Sequence, residues 1–211
     1  MEEEKEKVTN NGGQIKINFL GDSITIGSKL KNIVEQRFTT LLEKNLKIKA
    51  LNFAISGSRI AKIDSDRKKC FIDRIQPLPK TANFTFIFGG INDFKNGTIL
   101  GDKNSEEIST FYGALKFLIS ELLKIFINDK LCFILPLPAN RKSPINESLS
   151  SYCNVIKELC TENNIDFLDL SNEFNNKKEL LADGLHPNEK GHELLAKEIE
   201  KYIIKRGIMN F

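Results

Sequence analysis

The stretch IKINFLGDSITIG, residues 15–27, breaks abruptly from an apolar run into glycine, aspartate and serine. Ile15 to Leu20 reads as a buried strand, because a short apolar run bounded by turn residues suits a sheet covered on both faces. Ser23 follows it in Gly21-Asp22-Ser23. Taken alone, such a serine is a turn former or a helix cap, since Asp-Ser clusters commonly start helices. Whether it does chemistry depends on what the other strands deliver beside it.

Four further apolar runs recur along the chain: KIKALNFA (47–54), FTFIFGG (84–90), LCFILPL (131–137) and IDFLDL (165–170). Helix-compatible sequence separates each from the next. The patterns predict helices over 30–42, from a cap at Asn104 or Ser105 to about Phe126, over 147–163 and over 188–205. A strand reached through a helix restores the previous direction, so the five strands are expected to run parallel. The expected fold class is therefore α/β, flavodoxin-like, with a five-stranded parallel sheet. In such a sheet all carboxyl ends lie on one edge, and loops distant in sequence converge there.

Those exits carry the candidate chemistry. Strand two leaves through Asn52 to Gly57, strand three through Gly89-Gly90-Ile91-Asn92-Asp93, and the last exit leads to Asp183-Gly184-Leu185-His186. A serine hydroxyl needs an adjacent base to attack an acyl carbon, normally a histidine oriented by a carboxylate. Ser23, His186 and Asp183 are the candidate nucleophile, base and orienting acid. The backbone N–H groups of Ser23 and Gly57 and the side-chain amide of Asn92 are the candidate oxyanion donors. His192, within the final helical stretch, reads as a solvated or packing residue. Asp22 and Asp93 read as braces for the loops through hydrogen bonds to backbone.

Composition narrows the setting. The 211 residues suit one domain over 14–211 behind a polar tail at 1–13 that is too poor in apolar side chains to order itself. Thirty-one basic against 28 acidic side chains, scattered without a basic stripe, give no sign of nucleic-acid binding. The start, MEEEKEKVTNNGGQ, places charges where a signal peptide needs an apolar core, and no later segment offers a membrane span of about 20 apolar residues. The expectation is a cytoplasmic protein with no membrane span; oligomeric state is left open. The four cysteines lack metal-ligand spacing and are expected to be reduced thiols. Two histidines with dispersed carboxylates offer no metal cluster.

Taken together and in order, these blocks resemble the SGNH or GDSL hydrolases. Gly21-Asp22-Ser23-Ile24-Thr25 resembles the family's first block, Asn52 to Gly57 its glycine block, Gly90-Ile91-Asn92-Asp93 its Gly-x-Asn-Asp block, and Asp183-Gly184-Leu185-His186 its Asp-x-x-His block. NDFKNGTILGD together with TFYGALKFL is similar to bacterial lipase-like acylhydrolases. The resemblance covers residues 15 to about 205. It implies a three-layer α/β/α fold and ester hydrolysis without a cofactor, with Ser23, His186 and Asp183 as catalytic residues and Gly57 and Asn92 in the oxyanion hole. Pocket walls are sought in the loops after strands three and four. Asp22, Phe94, Lys95, Asn140 and Arg141 are the candidates for substrate contact, with Ile99 and Leu100 beside them. Their mixed character suits short acyl esters, including O-acetyl groups on carbohydrate. Two other readings stand beside this one, a catalytically inert scaffold and a binding module for a small anionic or sugar ligand.

Overall fold

The computed structural model describes residues 13–66 and 69–210. The polar stretch 1–12 lies outside the described residues. Five strands form one sheet: β1 (Lys16–Gly21), β2 (Lys49–Ala54), β3 (Phe84–Phe88), β4 (Leu131–Ile134) and β5 (Asp166–Leu168). All neighbours pair in parallel, in the order β2-β1-β3-β4-β5. Central strands have both faces covered, and every residue of β3 is accordingly buried. The edge strands β2 and β5 are only partly covered.

The described residues also form eight α-helices, α1 (Ser23–Ile26), α2 (Ile33–Gln36), α3 (Phe38–Leu46), α4 (Ile91–Lys95), α5 (Phe111–Leu123), α6 (Leu149–Glu162), α7 (Ser171–Phe174) and α8 (Glu189–Lys205), and four short 3-10 turns. Helix α3 packs on α8, and α5 on α6. Alternate sheet residues meet the first pair: Phe19 lies edge-on to Phe38 of α3, and Phe84 and Phe86 pack on Tyr202 of α8. Phe111 of α5 meets Tyr152 of α6 with ring centroids 4.9 Å apart. The architecture is the α/β/α sandwich around a parallel sheet. No helix of the described residues is long and apolar enough to cross a membrane.

Two helices differ from expectation. The single helix over 30–42 is instead α2 and α3, broken at Arg37, whose backbone is extended (φ −66°, ψ 144°). That break leaves the first N–H of α3 without a local cap, and His192 of α8 accepts it through Nδ1 at 3.3 Å. His192 is thus fully buried, stacked on Phe38, and not solvated. The helix expected to begin at Asn104 or Ser105 begins at Phe111, capped by the Thr110 hydroxyl. Asn104 and Ser105 belong to a tight turn in which Asp102 accepts the N–H of Asn104 and Ser105 Oγ accepts the N–H of Asp102. Local side-chain bonds of this kind compete with helix formation.

Candidate active site

Strand β1 ends at Gly21, and Asp22 caps α1 by accepting the Ile24 N–H at 2.9 Å. Ser23 is therefore the first residue of a short helix standing on the strand's carboxyl edge, 5 % exposed. From the far end of the chain, His186 Nε2 lies 3.0 Å from Ser23 Oγ. On the other side of the ring, His186 Nδ1 lies 2.9 Å from Asp183 Oδ2 and 3.1 Å from Oδ1. A line of this kind can activate a serine, because an Nδ1–H held by a carboxylate leaves Nε2 to accept a hydroxyl proton.

The turn that carries Asp183 and His186 is closed by its own bonds. Leu181 and Pro187 form an antiparallel bridge, and the Ala182 N–H donates to the His186 carbonyl at 2.8 Å. Asp183 Oδ1 also accepts the N–H groups of Leu185 and His186. Burial would raise the Asp183 carboxyl, but these N–H groups and the imidazole overcome it and hold the group down at about 2. The carboxylate is consequently charged throughout the neutral range. From outside, Asn140 N–H donates to the Gly184 carbonyl and Arg141 Nη2 to the Asp183 carbonyl, both at 2.8 Å.

The other two strand exits meet at the same rim. Gly57 turns the chain after β2 with φ +78°, and Gly90 turns it after β3 with φ +104°, conformations that a side chain would strain. Asn92, on α4, is buried. Its Nδ2 donates to Asp22 Oδ2 at 3.1 Å and to the Ser58 carbonyl at 3.0 Å. Burial pushes the Asp22 carboxyl up to about 7, although Ile24 N–H, Arg74, Lys95 and Asn92 all favour its charge. Asp93 is likewise raised to about 7 by burial, against the N–H groups of Ile60 and Ala61 that it accepts.

The GDSL-like Lipase/Acylhydrolase family model matches residues 19–194, from the end of β1 into α8. The chain belongs to the GDSL-like lipase/acylhydrolase family. Solved GDSL and related structures share its fold. A protein from Lactobacillus plantarum has a TM-score of 0.80 at 23% identity, covering 92% of this chain and 98% of its own. The lipase/acylhydrolase from Enterococcus faecalis has a TM-score of 0.68 at 23% identity, covering 92% and 96%. An acetyl xylan esterase has a TM-score of 0.66 at 21% identity, covering 90% and 100%. No curated protein matches the chain.

Within this GDSL hydrolase the expected substrate contacts fall differently. Phe94 is a correction: it is 4 % exposed and packs edge-on against Tyr152, so it belongs to the core. Asp22 is another, because both its oxygens are turned inward, to Ile24 N–H and to Asn92. Lys95 is half-buried at the last turn of α4, whereas Asn140 and Arg141 are exposed beside the Asp183 turn.

Sequence reasoning passed over Arg74, which ties the rim together. Its guanidinium is buried and donates to the carbonyls of Gly21, Phe53 and Cys70 and to Ser58 Oγ, while stacking on Phe71. Burial pulls it down to about 10 against the attraction of Asp22, so it remains protonated. One buried cation thus joins the ends of β1 and β2 to the residue after Gly57. Its sequence signal is an arginine set in the apolar frame CFIDRI, residues 70–75.

Proposed function

We propose that this GDSL hydrolase is a serine esterase working through a covalent acyl-enzyme. Ser23 Oγ attacks the ester carbonyl carbon while its proton passes to His186 Nε2, and Asp183 stabilises the imidazolium. The oxyanion that forms is met by the N–H groups of Ser23 and Gly57 and by Asn92, whose amide exchanges one of its buried acceptors for the new charge. Collapse of the tetrahedral intermediate breaks the bond to the alcohol oxygen, which takes the proton from His186. Water, deprotonated by the same imidazole, then releases the acid and restores Ser23. The observation that carries this reading is the continuous line Ser23 Oγ to His186 Nε2 at 3.0 Å and His186 Nδ1 to Asp183 Oδ2 at 2.9 Å.

Short acyl groups are the proposed substrates, O-acetyl esters of carbohydrate foremost. The fold shared with an acetyl xylan esterase and the polar loop around Asn140 and Arg141 support this choice. Phe94, which would have suited a longer chain, lies in the core. A fluorophosphonate should label the wild type and leave Ser23→Ala unlabelled. Absence of label on the wild type would overturn the esterase reading in favour of a binding protein. Among p-nitrophenyl acetate, butyrate and octanoate, turnover should be highest for the acetate, and faster octanoate hydrolysis would overturn the short-acyl preference.

A further inference from the structure

Two cavities flank the turn that carries Asp183 and His186. One, of about 440 Å³, touches the turn at Ala182, and its Lys29, Lys31 and Lys190 are largely offset by Glu179 and Glu189. The other, of about 340 Å³, is walled by Gly184 itself, and Asn140 and Asn175 line it together with Lys177 and Lys178 over an apolar floor that includes Phe174. None of the residues lining this second cavity is acidic. Lys177 and Lys178 are exposed and form no ion pair among the described residues. The carboxylate of the adjoining turn, Asp183, is turned away to His186.

Resting on the esterase reading, chemistry fixes which half of a substrate stands on the histidine's side. In serine acyl transfer the histidine that deprotonates the nucleophile also protonates the departing alcohol, so the alcohol half must stand on the histidine's side of the scissile bond. The second cavity shares its wall with the histidine turn. Its volume falls within the range of small-molecule sites, about 300–1,000 Å³. Amides that both donate and accept suit hydroxyl groups, and two ammonium groups in a lining that holds no acid favour an anion.

We propose that the cavity beside Gly184 is the subsite for the alcohol half of the substrate, and that this half is an acidic polyol, a sugar ring bearing a carboxylate. Asn140 and Asn175 meet the ring hydroxyls, and Lys177 and Lys178 meet the anion at the mouth. Because both lysines are exposed, their attraction for the anion weakens as salt is added.

The test compares acetylated glucuronate with acetylated glucose, using p-nitrophenyl acetate as the reference ester. Two exposed charge pairs of ordinary strength correspond to a preference in kcat/KM of about fivefold or more for the glucuronate, expressed in KM. The double variant Lys177→Gln/Lys178→Gln should bring the two sugars to within about twofold of each other, through a rise in KM for the glucuronate. Equal use of the two sugars by the wild type, no hydrolysis of the glucuronate ester, or a preference that survives the double variant would overturn the proposal. Failure of the wild type both to label with fluorophosphonate and to hydrolyse p-nitrophenyl acetate would instead overturn the esterase reading beneath it.

Discussion

The amide of Asn92 is held by the carboxylate of Asp22, Nδ2 to Oδ2 at 3.1 Å, and Asp22 directly precedes Ser23 in the chain. A group proposed to meet the oxyanion is therefore aimed by the neighbour of the proposed nucleophile. Asp22→Asn keeps an acceptor for the Ile24 N–H but sets an amide donor against the Asn92 donor. Asn92 must then turn, and a misplaced donor of this kind should lower kcat about 10- to 100-fold. Fluorophosphonate titration should still count one reactive serine per chain, because Ser23 and His186 are untouched. A kcat per titrated site within twofold of wild type would contradict the positioning role.

Asp183 makes a sharper case. Asp183→Asn presents an amide where His186 Nδ1 needs an acceptor, which favours the wrong tautomer, and kcat should fall by about 10³ to 10⁴. The native carboxyl, held at about 2, remains ionised at every pH where the fold is ordinarily assayed. Any acid limb in the activity profile above pH 4 must accordingly come from another group. A limb that shifts with substitutions at the Leu185 and His186 turn but not at the imidazole would refute that assignment.

Arg74 is expected to matter first for stability. Arg74→Met leaves the carbonyls of Gly21, Phe53 and Cys70 and the hydroxyl of Ser58 without their donor in a buried setting. The loss should be about 2–4 kcal/mol, read from urea unfolding. Arg74→Lys should recover only part of it, since one ammonium cannot span acceptors arranged around a planar fork. Full recovery by lysine would show that charge alone suffices.

His192 gives a dependence of stability on pH with a definite sign. Burial lowers its imidazole from 6.5 to about 4. Between those values the unfolded chain binds the extra proton, so the contribution of His192 is complete above 6.5 and is lost as pH falls toward 4. Asp22 and Asp93, both raised from 3.8 to about 7, act the other way: the folded state holds their protons, and their stabilisation fades as pH rises through that interval. The His192 effect is isolated as the difference in unfolding free energy between wild type and His192→Leu, which should shrink as pH falls from 6.5 to 4. A difference that grows on acidification would reverse the assignment.

The sheet was legible because its interior strands are apolar on both faces, a pattern that survives without knowledge of partners. The convergence of Ser23, Asp183 and His186 was legible for a related reason: parallel strands make their exits neighbours whatever the distance along the chain. What escaped depended on contacts that have no periodicity. The break at Arg37 is sustained by His192, which accepts the Phe38 N–H from 154 positions away. The late start of α5 follows from the Asp102 to Ser105 turn, whose residues are as suited to capping as to turning. Arg74 looked ordinary because its acceptors are mostly backbone carbonyls, which no sequence displays. Phe94 was misplaced because an aromatic after a strand exit serves a cleft or a core equally well until Tyr152 packs on it.

The hydroxyl of Ser23 and the ring of His186 stand 163 positions apart, although the imidazole and its carboxylate share one self-closed turn. During synthesis the Ser23 hydroxyl leaves the ribosome long before the His186 imidazole does. A nascent polypeptide therefore carries the proposed nucleophile without its proposed base until translation has passed residue 186.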